Sequence, residues 1–359
     1  MSLSIGIIGL PNVGKSTLFN ALTDSDALAA NYPFATIEPN TGIVPIPDAR
    51  LNKLAEIYKS NKIVPATVTF TDIAGLVAGA SQGEGLGNQF LANIRGCNAI
   101  CHTVRAFESS DVTRSGSTDP AHDIEIINTE LMLADLQTVD KRLPRLEKET
   151  RADAKLKPLY DNLARVKALL ESGTPLHLSQ EVDLEAISDL HLLSAKPVIY
   201  VFNVDETTLA NEAKKDELRQ IVGQAKVVFI CAKLESELRG LDEVDKKELL
   251  ASYGQDESGL DQLIHSAYDI LGLQSYLTAG ETEVRAWTIK QGSTAPQAAG
   301  VIHTDFERGF IAAQVVSYPD LVSAGSETAA RAAGKIRTEG KTYVMQPGDI
   351  VEFRFNVSK

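Results

Sequence analysis

The sequence predicts an α/β protein: a mainly parallel sheet flanked by helices, interrupted by a helical hairpin and followed by a small α+β domain. Three observations carry this. Short apolar runs alternate with helical patterns over residues 1–128 and 188–278, the signature of parallel strands joined by crossover helices. Between 129 and 187 the strand signals vanish and leucines recur at steps of three and four. From 279 to 359 the segments become short and alternating, with many Gly and Ala. A chain of 359 residues is long enough for two or three such cores.

Taken in order, the chain opens with a strand at 3–9 and a helix from Lys15. Strands follow at 66–72 and 99–105, with a helix near 86–95 between them. The insert carries Leu136, Val139, Leu143 and Leu146, then Leu156, Leu159, Leu163, Val166 and Leu170. That spacing predicts two packed amphipathic helices turning near 150–155. Gly173-Thr174-Pro175 ends the second, and Pro144 and Pro158 fall inside the pattern, where a missing N–H weakens a helix. Beyond the insert come strands at 197–202 and 226–231 and helices near 211–222 and 259–271. In the last domain, 284–289 and 350–355 alternate as strands.

Composition excludes several classes. Apolar residues make up 43% and charged residues 23%, as in ordinary globular domains. No apolar run approaches the roughly 18 residues of a membrane span, so no membrane partner is expected. The N-terminus lacks the basic start of a signal peptide. Cys97, Cys101 and Cys231 form neither a C-x-x-C pair nor an even framework, which predicts a reducing, cytoplasmic setting. The net charge of −13 argues against a general nucleic-acid coat, and no DNA partner is expected. One stretch runs the other way: 141–157 holds seven Lys or Arg against three Asp or Glu. It reads either as a solvated helical surface or as an RNA contact.

Gly9-Leu10-Pro11-Asn12-Val13-Gly14-Lys15-Ser16 fits G-x-x-x-x-G-K-[ST] between a strand and a helix. Backbone N–H groups of such a loop wrap phosphates at the positive end of the helix. Lys15 is expected to reach the β- and γ-phosphates and Ser16 to bind Mg²⁺. Asp72-Ile73-Ala74-Gly75 follows an apolar strand. Asp72 is placed to hold the magnesium through water, and Gly75 to give its N–H to the γ-phosphate. Thr36 falls in the loop after the first helix, where it completes the Mg²⁺ shell only when the γ-phosphate is present, making that loop a switch. Leu76 stands where many GTPases carry a water-orienting glutamine, which predicts slow intrinsic hydrolysis.

Asn203-Val204-Asp205-Glu206 closes a later strand where GTPases carry N-K-x-D. Val204 replaces the lysine and Glu206 the guanine-reading aspartate. The longer carboxylate weakens the guanine code and brings ATP level with GTP, while Asp205 is a second acceptor that keeps GTP open. A metabolic kinase needs no such pair of motifs. A scaffold merely stabilised by nucleotide differs by lacking turnover.

These motifs together resemble the Obg-type branch of the translation-factor-related GTPases, and within it the YchF family of ribosome-binding ATPases. The carrying residues are the P-loop with its continuation to Leu22, Asn31-Tyr32-Pro33-Phe34, and the run from Asp72 to Leu91. The N-x-x-E at 203–206 and the stretches at 284–289, 303–310 and 348–353 complete the likeness, the last three resembling a TGS domain of β-grasp type. The resemblance covers essentially the whole chain, least well in the helical insert. It implies a P-loop NTPase G domain with ATP preferred and GTP possible, Mg²⁺, and association with the ribosome (50S and 70S) and its rRNA. It also implies nucleotide contacts at Asn12, Val13, Gly14, Lys15, Ser16 and Thr17, magnesium at Ser16 and Thr36, and base contacts at Asn203, Val204 and Glu206 and in the strand–loop from Phe229 to Lys233, with Cys231 and Ala232. Family members with leucine at position 76 rely on a histidine in the loop after the next strand. Here that loop, 108–116, is short, and Arg114 stands near the histidine's place. Lys15, Gly75 and Arg114 are thus the expected catalytic groups. His102, inside a strand, is expected to be structural, as are Cys97 and Cys101, and the glycines of 79–87 to form a mobile switch loop.

Overall fold

The protein is described by a computed structural model covering residues 3–23, 41–73, 86–107 and 119–356. The described residues form two compact units. One is built from 3–23, 41–42 and the described parts of 69–267; the other from 43–68 and 268–356. In chain order the strands are β1 (Ser4–Ile8), β2 (Thr41–Pro45), β3 (Ile63–Val64), β4 (Thr67–Asp72), β5 (Ala99–Ala106) and β6 (Val198–Val204). They continue with β7 (Lys226–Ile230), β8 (Leu273–Ala279), β9 (Val284–Lys290), β10 (Phe310–Ser317), β11 (Arg337–Glu339) and β12 (Asp349–Phe355). They form two six-stranded sheets, ordered β2-β4-β1-β5-β6-β7 and β11-β10-β12-β8-β9-β3.

In the first sheet β1 runs parallel between β4 and β5, with Ser4 opposite Thr69 and Ile5 opposite Ala99. β5 and β6 pair in parallel over seven positions, and β7 continues on the far side of β6. Parallel strands covered on both faces need apolar residues at nearly every position. Accordingly Ile5, Ile7 and Ile8, Ala99 to Val104, and Val198 to Phe202 are all buried. The carboxyl ends of β1, β4 and β6 carry the three candidate motifs, the usual ligand edge of such sheets.

The helical insert begins earlier than its leucine spacing suggests. Its first helix is Pro120–Ala152, with Asp119 as N-cap accepting from Ala121 N at 2.9 Å. Proline in the first turn is tolerated because its missing N–H would be unpaired there anyway. Ile124, Ile127, Leu131 and Ala134 belong to the same core cluster as the sheet residues Ile100, Tyr200 and Phe202. The outer half of this helix and the helix Lys157–Glu171 build a core of their own from Val139, Leu146, Leu163, Val166 and Leu170. The helix continues through Pro144, and the turn lies at Asp153 with a short 3₁₀ segment, Ala154–Leu156. Asp135 fastens the insert. Its fully buried carboxylate accepts from Leu193 N, Ser194 N and Ser194 Oγ at 2.7, 2.7 and 2.6 Å.

The second unit is a mixed sheet bearing a helix. β8–β9, β10–β12 and β10–β11 are antiparallel, whereas β12–β8 and β3–β9 are parallel. The helix Ala295–Ile302, closed at its start by a Thr294–Gln297 capping box, buries Ala295, Ala298 and Ala299 with Tyr276, Ile289 and Phe310. This unit differs from the expected boundary at 279 in two places. β8 already belongs to it from Leu273, and residues 43–68 join it from the first half of the chain. The reason is pairing: Ile63 lies opposite Val284, and Val284 N donates to Lys62 O at 2.9 Å.

Candidate functional site

The loop after β1 depends on its backbone. Gly9 (φ 151°), Asn12 (φ 62°) and Gly14 (φ 101°) have positive φ, a region glycine enters at little cost. A Cβ on Gly9 would fall 2.4 Å from the Thr103 carbonyl oxygen, and one on Gly14 2.7 Å from Asn203 Nδ2. Both glycines therefore also permit close approach. Asn203, near the end of β6, donates from Nδ2 to Val13 O at 3.1 Å and clasps the loop to the sheet. Gly14 O accepts from Leu18 N at 2.9 Å, starting the helix Lys15–Thr23.

Lys15 is 8% exposed, and its ammonium folds back to donate to Leu10 O at 2.7 Å. Burial lowers its pKa, opposed by the charge of Asp72. Ser16 Oγ donates to Asp72 Oδ2 at 3.2 Å, while Asp72 Oδ1 is buried without a hydrogen-bond partner among the described residues. A buried carboxylate oxygen lacking a donor is costly, and hard oxygens are what Mg²⁺ takes. The donor set fits that cation. Asn12, Ser16 and Thr17 are exposed, and Val13 is buried behind the loop.

At the end of β6 the four motif residues do different things. Val204 is 3% exposed and packs into the sheet core. Asp205 caps the short helix Glu206–Leu209, its Oδ1 accepting from Thr208 N at 2.7 Å and Thr207 Oγ1 at 2.8 Å. That oxygen is committed to the cap and is not open to a guanine donor. Glu206 Oε1 accepts from Lys233 Nζ at 2.6 Å and Tyr253 OH at 3.4 Å. Cys231 is buried at the start of the helix Ala232–Leu238, and burial pushes its thiol pKa up. Ala232, Gly14, Thr17, Asn203, Glu235 and Arg239 help line a cavity of about 280 Å³.

Residues 4–135 match a family described as a 50S ribosome-binding GTPase, and residues 273–356 match the YchF-GTPase_C family, described as a protein of unknown function. The ribosome-binding ATPase YchF of Bacillus subtilis is 51% identical over 99% of this chain and 100% of its own. The chain belongs to the YchF family. The YchF protein of Escherichia coli O157:H7 is 48% identical over the same shares. Among solved structures, the Schizosaccharomyces pombe YchF GTPase is 39% identical over 98% of both chains, with a TM-score of 0.86. A GTP-binding protein from Pyrococcus horikoshii, 22% identical with a TM-score of 0.61 over 99% of this chain and 100% of its own, shares the fold.

In this YchF-family chain two side chains near the site carry no motif signal, Tyr253 and Glu235, whereas Lys233 ends the strand–loop 229–233 in which the resemblance implies base contacts. Lys233 and Tyr253 reach Glu206 from segments 27 and 47 positions away. Glu235 is 8% exposed, and its Oε1 accepts from Gly259 N at 2.7 Å. Burial pushes its pKa up to about 7 against two backbone donors. His102 is 2% exposed, 5.3 Å from the Tyr200 ring, and depressed to about 3 by burial and the charges of His177 and Lys15. It is a neutral packing residue at ordinary pH. Cys97 and Cys101 are buried, and burial raises both thiols, Cys101 to about 12. Thr36, Gly75, Leu76, Arg114 and most of the 79–87 glycine cluster lie outside the described residues.

Proposed function

We propose that this chain is a magnesium-dependent ATPase switch of the cytoplasm that hydrolyses ATP slowly and works on the ribosome. The observation that carries it is the Ser16–Asp72 oxygen pair, with Asp72 Oδ1 lacking a donor among the described residues, beside a P-loop whose lysine is drawn inward. Backbone N–H groups of Asn12 to Thr17 wrap the phosphates, and Lys15 moves from Leu10 O to the β- and γ-phosphates. Ser16, Thr36 and Asp72 hold the Mg²⁺, which when bound neutralises charge on the phosphate oxygens. Gly75 gives its N–H to the γ-phosphate, and Arg114 balances negative charge there. Leucine at position 76 cannot orient water, which keeps turnover slow. Asn203, Val204, Cys231 and Ala232 shape the base site, with Glu206 at its edge.

Relatives named ribosome-binding ATPases, 51% and 48% identical, support the ribosomal reading. So does the hairpin surface. Arg142, Arg151 and Lys157 are paired with Glu149, Glu147 and Asp161. Lys141, Lys148 and Lys155 have no ion pair among the described residues and, with Arg145 beside Glu149, are offered to rRNA on the 50S subunit or the 70S particle. The match of 4–135 to a family described as a GTPase favours a second reading, a GTP-specific Obg-like enzyme. Calorimetry with ATP, GTP, ADP and GDP in Mg²⁺ separates the two. Tighter ATP binding, with slow ATP turnover, is expected. GTP binding about tenfold tighter than ATP, roughly 1.4 kcal/mol, would reverse the assignment.

A further inference from the structure

Glu206 is not a free carboxylate. Its Oε1 is taken by the Lys233 ammonium at 2.6 Å and the Tyr253 hydroxyl at 3.4 Å, and Lys233 lies 3.9 Å from Glu237. Its second oxygen, Oε2, has no hydrogen-bond partner among the described residues. Lys233 sits in the first turn of the helix Ala232–Leu238, and Tyr253 directly follows the helix Glu243–Ser252. Two helices of the first unit thus converge on one oxygen of the residue that replaces the guanine-reading aspartate.

We propose that Lys233, assisted by Tyr253, is a specificity-determining positioning residue that makes this base site select adenine over guanine by occupying one oxygen of Glu206. The proposal rests on the ATP reading above. An ionised carboxylate is an acceptor with two oxygens. Guanine presents two adjacent donors on its pairing edge, N1–H and the 2-amino group, and a free carboxylate receives both as a fork. Adenine presents one donor, the 6-amino group, beside the N1 acceptor. With Oε1 committed to a charge-assisted bond, Glu206 offers a ligand the single acceptor that adenine matches. A guanine in the same place leaves one of its two donors without a partner, and sites of fixed hydrogen-bonding pattern reject ligands in that way. The ammonium also offsets the repulsion between the carboxylate and adenine N1. One ion pair therefore removes a guanine-specific gain and an adenine-specific penalty.

The test is calorimetry of Mg-ATP and Mg-GTP binding to wild type, Lys233→Met, Lys233→Arg, Tyr253→Phe, Glu206→Gln and the Lys233→Met/Glu206→Gln double variant. The Lys233 side chain is 64% exposed and that of Glu206 32%, so the effect is modest. Lys233→Met is expected to lower the ATP-over-GTP preference by about fivefold, the upper range for a part-exposed pair. Lys233→Arg keeps the charge and should keep the preference, while Tyr253→Phe shifts it less and in the same direction. In the Glu206→Gln background the Lys233→Met effect should vanish, because lysine acts through the carboxylate. The proposal is overturned if Lys233→Met weakens both nucleotides equally, leaves the preference within about twofold of wild type, or acts undiminished without Glu206. Failure of the underlying ATP reading looks different: wild type itself then prefers GTP, whereas the variant-to-wild-type change still judges Lys233.

Discussion

Lys15 spends its hydrogen bond on Leu10 O in this structure, and that geometry frames the simplest experiment. Lys15→Ala removes a cation from the phosphates, so triphosphate affinity should fall by about 2–3 kcal/mol, roughly a hundredfold. Calorimetric affinity unchanged from wild type would falsify its phosphate role. Glu235 gives a pH-dependent counterpart. Burial raises its pKa to about 7 from the ordinary glutamate value of 4.5, so between those values the folded protein binds the extra proton. Stability is therefore lost as pH rises through that window, and the penalty is complete above it. Glu235→Gln retains an oxygen for Gly259 N and cannot ionise. Its melting temperature should match wild type near pH 4.5 and exceed it at pH 8, by up to about 3 kcal/mol of stability. Equal curves at both pH values would count against the assignment. That Lys15, Ser16 and Asp72 meet was legible in the sequence because each belongs to a motif of fixed local spacing. Tyr253 and Glu235 were not legible, since they belong to no such motif and meet Glu206 and Gly259 only through tertiary packing; Lys233 was legible as part of the strand–loop 229–233, but its pairing with Glu206 was not.

The helices of the insert show what periodicity conveys and what it leaves out. Steps of three and four gave both helices and the turn, because Val139, Leu146, Leu163 and Val166 share one buried seam. The same periodicity continues backwards through Ile124, Ile127 and Leu131, but there it faces the sheet, so spacing alone does not say where the insert begins. Asp119-Pro120 was the available start signal. Pro144 is accommodated although it forfeits an N–H, with Leu146 and Val139 still packed on either side of it. The basic surface of the hairpin is testable as an element. Lys141→Glu, Lys148→Glu and Lys155→Glu together should reduce co-sedimentation with ribosomes and flatten its salt dependence, since neutralised phosphates set that slope. Nucleotide affinity serves as the internal control. Sedimentation and salt slope both like wild type would remove the hairpin from the ribosomal contact.

Alternation of strands and helices predicted the first sheet, and the change of pattern near 279 predicted a second unit, but no local signal assigned 43–68 to it. Ile63–Val64 is two residues long, and its place beside β9 is fixed by partners more than two hundred positions later. A fragment of 268–359 alone would therefore leave the outer edge of β9 uncovered, and uncovered edges recruit other chains. It should self-associate in analytical ultracentrifugation, and a synthetic 43–68 peptide should return it to a monomer. A fragment that stays monomeric without the peptide would show that β3 is dispensable. The pairing of Ile63 with Val284 also sets a clock during biosynthesis. At about 5–20 residues per second, the peptide bonds separating those two residues take on the order of ten to forty seconds to make. Throughout that interval the nascent chain holds a finished strand whose neighbour has not yet been translated.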